Sequence, residues 1–521
     1  MVLEEYQQLD EKSSAFMQSF LGRVETKPEF SSTTEKRSFL KLLLNDLQNN
    51  REKWDEELKT KALSVVRILG RDQAGSDPLF TKQASMMFLQ LAGLQQSEKI
   101  VDSPSSHEAL KCICNCIFLK ESVKPYLEEE HVVDSCLHVL QSEDHQLSLE
   151  TQFLTCRVLF FLTVGRSDLV DSLIKSNVSG AIAKVLSANI AQLEDPVLRL
   201  KIDRNAAINP LTVTSEALKL LFNLLLVGAR SQEGTSTNQA FVECLVPIFR
   251  LIFLVPYPEP QPLVAPYSQA IHALMQFSFT TIAQVWSEQS SWTHSLFDRD
   301  ADEHGYKYMA STLVGVLDKS IHVLLPSGEP DQEGNESVDT AIAPLLLVLS
   351  TLAEGDLAFK HVTAKLMLPK EKDRLKPVHE GFGLSAYLIR LMTSTMMPQT
   401  RDAVCETLFV LCDKDANKFT QQLGYGNAIG FLVNKGIAME APPDSQHDAE
   451  QINPITGQFL SQEAMPKLED MTDEEKEREA EKLFVLFERL KKNGIIQVEN
   501  PIAKAMQEGR LEEIESNSDS E

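Results

Sequence analysis

Three stretches place reactive residue types at suggestive spacings. Cys112, Cys114 and Cys116 alternate along the chain. On a helix, positions two apart do not share a face, so three thiolates there cannot close on one zinc ion. Buried small residues are expected instead. Asp298, Asp300 and Asp302 open like a calcium loop. Its sixth and twelfth positions, which require Gly and Glu, hold Glu303 and Met309. The run Gly424-Tyr425-Gly426-Asn427-Ala428-Ile429-Gly430 is a dinucleotide fingerprint with one residue too many. It follows Lys418 to Leu423, which reads as helix, so a tight turn between two helices is expected. No H-E-x-x-H, Walker or G-x-S-x-G sequence occurs, and the eleven His are scattered. The spacings offer no covalent chemistry, metal or cofactor, and an enzyme is not expected.

Arg67 and Arg71 stand four apart and share a helix face. If that helix lines the inner surface of an array, both cations face a ligand; otherwise they are solvated, with Asp72 at hand for a salt bridge. Asn115 and Asn223 occupy equivalent slots further on, where an amide can bond a ligand backbone.

The elements that position these residues recur. Each starts at an anchor followed by apolar residues at +1, +4, +5 and +7, the period of a buried helix. The anchors are Ala62, Ala109, Thr155, Ala217, Ala270, Leu345 and Val404. Arg67 and Ser350 interrupt the pattern at +5. The first two intervals match the roughly 40–47-residue period of armadillo and HEAT repeats. Longer intervals coincide with polar or turn-rich inserts: Glu194 to Pro210, Pro256 to Pro266, Asp298 to Tyr306 and Pro326 to Glu336. No alternating Val/Ile/Thr segments with Asn-Gly turns appear. The expected fold is all-α, an armadillo/HEAT-like helical-repeat superhelix over residues 1–435, with a C-terminal helical tail.

A polar linker is expected over 436–470. Thr472 and Glu475 form a capping box for an amphipathic helix over 471–496, with Ala480, Leu483, Phe484, Phe487 and Leu490 on one face. That stripe suits docking either on the array's end or on a partner. Residues 497–521 are acidic and Ser-rich, and disorder is expected. Ser445, Ser516 and Ser518 each have an acid three residues on, which suits an acidophilic kinase.

Composition bounds the partners. The chain has 521 residues, with 50 Lys and Arg against 75 Asp and Glu, a net charge of −25. Binding nucleic acid through a general basic surface is excluded, and an anionic membrane is expected to repel the chain unless a partner carries it there. The N-terminal residues Met1 to Tyr6 lack a signal-peptide layout. The most membrane-like stretch, Phe241 to Tyr257, holds Glu243, Pro247 and Arg250 and reads as a buried helix. Eight cysteines, six in apolar runs, suit a reduced, cytosolic protein.

Specific landmarks then appear in order. These are Leu110 to Asn115, Arg390-Leu391-Met392-Thr393, Leu408 to Cys412 with Tyr425-Gly426-Asn427, Ile452-Asn453-Pro454-Ile455-Thr456-Gly457, and Met471-Thr472 leading into Glu479 to Leu483. From about Lys61 to Ile496 the chain resembles the synembryn family, chaperones and non-receptor guanine-nucleotide exchange factors for heterotrimeric G-protein α subunits. The resemblance implies an armadillo/HEAT-like superhelix whose concave groove holds the C-terminal helix of the α subunit. It implies that the factor's own C-terminal helix contacts the nucleotide-binding domain, opening the site so that GDP leaves and GTP enters. By position, Arg67 and Arg71 match basic residues that meet the C-terminus of the α subunit, and Asn115 matches a groove asparagine. Lys360 lies where the family places groove cations. The face Leu483, Phe484 and Phe487 becomes the second contact. Family phosphorylation falls just before Asn-Pro-x-Thr-Gly, where Ser445 is the only hydroxyl residue. The implied protein is a monomer in the cytoplasm, recruited to the plasma membrane or cell cortex through its G-protein partner, without inserting itself. The alternative is an armadillo-type adaptor for basic peptide signals. That class relies on repeated Trp and Asn pairs along the inner helices, and none of Trp54, Trp286 and Trp292 lies on an anchor helix.

Overall fold

The computed structural model describes residues 2–437 except 9–13, 51, 96–99, 143–146, 231–237, 289–295, 299, 301 and 303, together with 452 and 457–459. These residues are helical or irregular; the one β feature among them is an isolated antiparallel bridge between Ile452 and Phe459. The chain divides into two compact units, Met1–Thr312 and Leu313–Glu521.

In the first unit the helices Ser14–Thr26, Glu56–Gly70, Pro104–Leu119, Leu149–Thr163, Pro210–Gly228 and Tyr267–Leu274 stack side by side in one row. Lys82–Leu91, Val132–Gln141, Val178–Glu194 and Leu245–Phe253 form a second row, each against a helix of the first. This is the stacked layout of a helical-repeat array, in which each pair buries only what its neighbours cover. In the second unit Glu336–Gly355 packs along Pro398–Leu411, with Leu357–Met367 against both. Ala416–Leu423 and Tyr425–Asn434 follow.

Local signals explain where these helices begin. Asp55 accepts from the Leu58 amide at 2.8 Å. Ser103, Ser148, Asn209 and Asn335 cap the other long stacked helices in the same way. Each satisfies amides that the first turn leaves without partners. Pro104 and Pro210 stand at the first helical position, where a missing N–H costs nothing.

All seven anchors are fully buried. So are the side chains at +1, +4 and +7 in every repeat, from Leu63, Val66 and Leu69 to Cys405, Leu408 and Leu411. The +5 position departs from the expected pattern. Arg67, Phe160, Phe222 and Met275 are half-buried there, and only Cys114 among the first five is buried. The +5 slot of the first unit is therefore the rim of the core.

Burial accounts for the cysteines. All eight are reduced and buried. The Cys112 and Cys116 thiols donate to different carbonyls, Leu63 and Leu79, at 3.6 Å each. Burial pushes the Cys114 thiol up to about 12. Phe241 to Tyr257 is largely buried, with Glu243 and Pro256 exposed, and its α-helical part is Leu245–Phe253. Among the described residues, the two helices long and apolar enough to cross a membrane lie elsewhere, at Pro210–Gly228 and Glu336–Gly355, and most of each is buried.

Candidate interface along the first row

Arg67 is held rather than free. Its Nε donates to Glu108 Oε2 at 2.6 Å, and Lys111 donates to the other oxygen of Glu108 at 2.8 Å. Ser64 accepts from Arg67 Nη2 at 3.2 Å. Glu108 is buried, so this pair ties the Glu56–Gly70 helix to the Pro104–Leu119 helix. The same device recurs two helices on. Arg157 forks onto Glu216 at 2.8 and 3.1 Å, with Lys219 against the same carboxylate. Both carboxylates sit in an identical Glu-Ala-Leu-Lys sequence, at 108–111 and 216–219, whose Ala is the anchor. That repeat is visible in the sequence as an acid one before and a base two after an apolar anchor.

Arg71 is the exposed cation. It ends the Glu56–Gly70 helix, and its side chain makes no hydrogen bond or ion pair among the described residues. Its neighbour Asp72 bonds the Ala74 amide and pairs with Lys36 at 3.3 Å. Those contacts hold the Asp72 carboxyl below its usual value, the Ala74 bond first and Lys36 second. Gly70, between the arginines, admits the turn beneath, because a Cβ there would lie 2.8 Å from Leu79 Cδ1.

Asn115 joins this group. Its Nδ2 donates to the Arg67 carbonyl at 3.5 Å, and both residues line one small cleft with Gly70 and Leu119. Phe118, one turn beyond Asn115 on the same face, is 75% exposed, yet its ring lies 6.1 Å from that of Phe161 on the next stacked helix. Phe222 approaches His272 in the same manner, at 5.8 Å. The edge of the first row thus carries Arg71, Asn115 and an exposed aromatic, backed by half-buried rings. Phe118 falls outside the +1 to +7 window, so the helical pattern alone does not flag it.

Other expected residues are placed differently. Asn223 is buried, and its amide donates to Thr163 Oγ1 at 2.9 Å, so it links neighbouring helices. Lys360, in the second unit, bonds Asp413 at 2.6 Å, and Lys418 bonds the other oxygen at 2.9 Å. Together these lysines pull the Asp413 carboxyl down to about 2. Leu483, Phe484, Phe487, Ser445, Ser516 and Ser518 lie outside the described residues.

The remaining motifs have structural occupations. The Asp302 carboxylate accepts from the amides of Lys307 and Tyr308, at the start of the Tyr306–Leu324 helix. Gly424, at φ 84°, makes the turn between Ala416–Leu423 and Tyr425–Asn434. Gly457 packs against that turn, since a Cβ on it would stand 3.3 Å from the Gly424 nitrogen. Arg374 joins the two. It donates to the carbonyls of Gln421, Gln422 and Gly457 and to Gln422 Oε1, while the Phe459 amide donates back to its carbonyl at 2.9 Å. Gly457, which ends the Asn-Pro-x-Thr-Gly landmark, therefore lies against Gly424, the residue just before Tyr-Gly-Asn. Trp286 is buried among Phe249 and Phe253, and its indole donates to the His304 carbonyl.

Stacked helices with a charged and aromatic edge place this fold in the helical-repeat class. Residues 62–510 match the family described as guanine nucleotide exchange factor synembryn, and the chain belongs to that family. It is 27% identical over 460 residues to the chaperone Ric-8A of Macaca fascicularis, covering 84% of this chain and 81% of that one. The chaperone Ric-8A of Mus musculus is 26% identical over 467 residues, and that of Danio rerio 25% over 464, at the same coverage.

Proposed function

We propose that this chain is a folding chaperone and guanine-nucleotide exchange factor for heterotrimeric G-protein α subunits, acting by binding alone. The observation that carries the reading is the family match together with Arg71, Asn115 and Phe118 along one edge of the first row. That edge takes the C-terminal helix of a GDP-bound or nucleotide-free α subunit. Exposed Arg71 meets its negative end, where the terminal carboxylate and the helix dipole add. Phe118 and Phe161 take its apolar side. Arg67, already paired to Glu108, holds the edge in register.

The C-terminal segment bearing Leu483, Phe484 and Phe487 makes the second contact. Two contacts on one partner favour its open state over its closed state, so GDP leaves; GTP reverses the preference and releases the factor. Ser445, just before Asn-Pro-x-Thr-Gly in the sequence, is a phosphorylation site, as are Ser516 and Ser518 in the acidic tail. The protein works in the cytoplasm and reaches the plasma membrane with its G-protein partner.

The test is a GDP-release assay across a panel of α subunits, with the full chain and a version ending near Lys435. Faster release by the full chain and loss on truncation are expected. If none of the α subunits is bound or accelerated, the reading fails.

A further inference from the structure

The insert between the third and fourth stacked helices of the anchor series holds a short helix, Pro196–Lys201, with no buried residue. Its sequence makes that unusual. Val197, Leu198 and Leu200 are 61%, 43% and 88% exposed, and Leu200 is the most exposed large apolar side chain among the described residues. A contiguous aliphatic tip left in water signals a contact.

Cations surround it. Arg199 donates to the carbonyls of Leu193 and Glu194 at 2.9 and 3.4 Å, and Lys201 and Arg204 are exposed. None of the three has a carboxylate partner among the described residues. Of the acids nearby, Glu194 is paired with Arg250, and Asp195 and Asp203 bond backbone amides but keep their charge, so the three cations outnumber two unpaired carboxylates. Asp195 caps the helix through the Val197 and Leu198 amides at 2.7 and 3.0 Å. Asp203 accepts from the Asn205 amide at 2.9 Å, and Glu194 is bonded by Arg250.

We infer that Pro196–Lys201, with Arg204, is a peripheral docking surface for an anionic lipid bilayer. An exposed aliphatic tip flanked by three cations, one more than the carboxylates left unpaired beside them, fits an interface with acyl chains below and anionic headgroups above. The chain-wide charge of −25 does not prevent it. At physiological salt the Debye length is about 8 Å, so a bilayer feels the local charges rather than the sum. Six residues rest on a membrane and do not cross it. This surface is independent of the edge that carries Arg71 and Phe118.

The experiment is flotation of the full chain, without any G protein, on phosphatidylcholine vesicles with and without phosphatidylserine at about 0.15 M salt. Binding only to the phosphatidylserine vesicles is expected. Leu200→Glu should abolish it, and Lys201→Glu with Arg204→Glu should weaken it by at least about tenfold. All three positions are exposed, and an unchanged circular dichroism spectrum will verify the fold. Three results overturn the inference: no binding by the natural chain, equal binding to both vesicle types, or unchanged binding by the variants.

Discussion

The two units use the same helical pattern and differ at its rim. In the first unit the +5 side chains Arg67, Phe160, Phe222 and Met275 are half-buried at an open edge. In the second, Ser350 and Phe409 at the same slot are buried. Phe409 meets Phe419 and Phe431 at 5.4 Å each, from the two helices that follow. Since +1, +4 and +7 are buried throughout, the contrast lies in what covers the edge. An array left open on one side offers a binding edge, and an array closed by its own later helices offers stability.

Their bonded arginines differ in parallel. In the first unit Arg67 and Arg157 bond carboxylates on a neighbouring stacked helix. In the second, Arg374 and Arg390 bond backbone carbonyls, Arg390 reaching those of Gly328, His379 and Gly381 while lying over the Tyr387 ring. Burial without a paired charge lowers both guanidinium values. Charge pairs stitch helix to helix in one unit, and cations pin distant loops in the other.

The largest expected effect tests the closed edge. Phe409→Ala should cost about 3–5 kcal/mol in urea denaturation. Phe222→Ala, at the open edge, should cost about 1–2 kcal/mol because part of its ring already meets water. Equal losses would erase the distinction.

Arg374→Ala comes next, at about 3 kcal/mol, because it strands several buried carbonyls. Arg374→Lys should recover little, since an ammonium cannot reproduce the fork. Hydrogen exchange at the Phe459 amide should rise in both variants; unchanged protection would show that Arg374 does not hold 457–459.

A smaller effect concerns pH. His322 places Nδ1 2.8 Å from the Asp318 carbonyl and Nε2 2.8 Å from the Phe382 carbonyl. Two carbonyl acceptors require both nitrogens to donate, hence an imidazolium. Burial works against that charge, but the Phe382 and Asp318 bonds and the Asp318 carboxylate outweigh it, so the value is raised. A raised value means the stabilisation is complete below about pH 6.5, the unfolded value, and is lost as pH rises through the folded one. The ring is partly exposed, so solvent screening keeps the contribution under about 1 kcal/mol. His322→Gln should flatten this dependence between neutral and mildly acid pH. An unchanged profile would rule His322 out as its source.

Much of the fold is legible in the sequence because helical periodicity reports burial. Seven anchors read from apolar spacing are seven fully buried positions. The +5 slot reads as core because Phe160, Phe222 and Met275 are as apolar as core residues; only Arg67 betrays the rim. Arg71 can be singled out by its four-residue spacing from Arg67, but the spacing does not say that one is paired and the other free. Glu108, which decides this, is 41 residues away in sequence. The Arg374 clamp is hidden for the same reason, because it joins residues 83 apart through backbone atoms that carry no sequence signature.

The open edge of the first unit is where we propose that a G-protein α subunit docks. The direct test is calorimetric binding of a GDP-loaded α subunit to the natural chain, to Arg71→Glu with Phe118→Asp, and to Lys175→Glu. Lys175 is an exposed lysine in the last turn of the Ser167–Lys175 helix and serves as a control for the cation-to-glutamate change at Arg71. Each of the three exposed substitutions puts an acid at a helix C-terminus and should cost no more than about 1 kcal/mol. The account predicts binding lost in the double variant and kept in the control. Binding retained by Arg71→Glu with Phe118→Asp would contradict it.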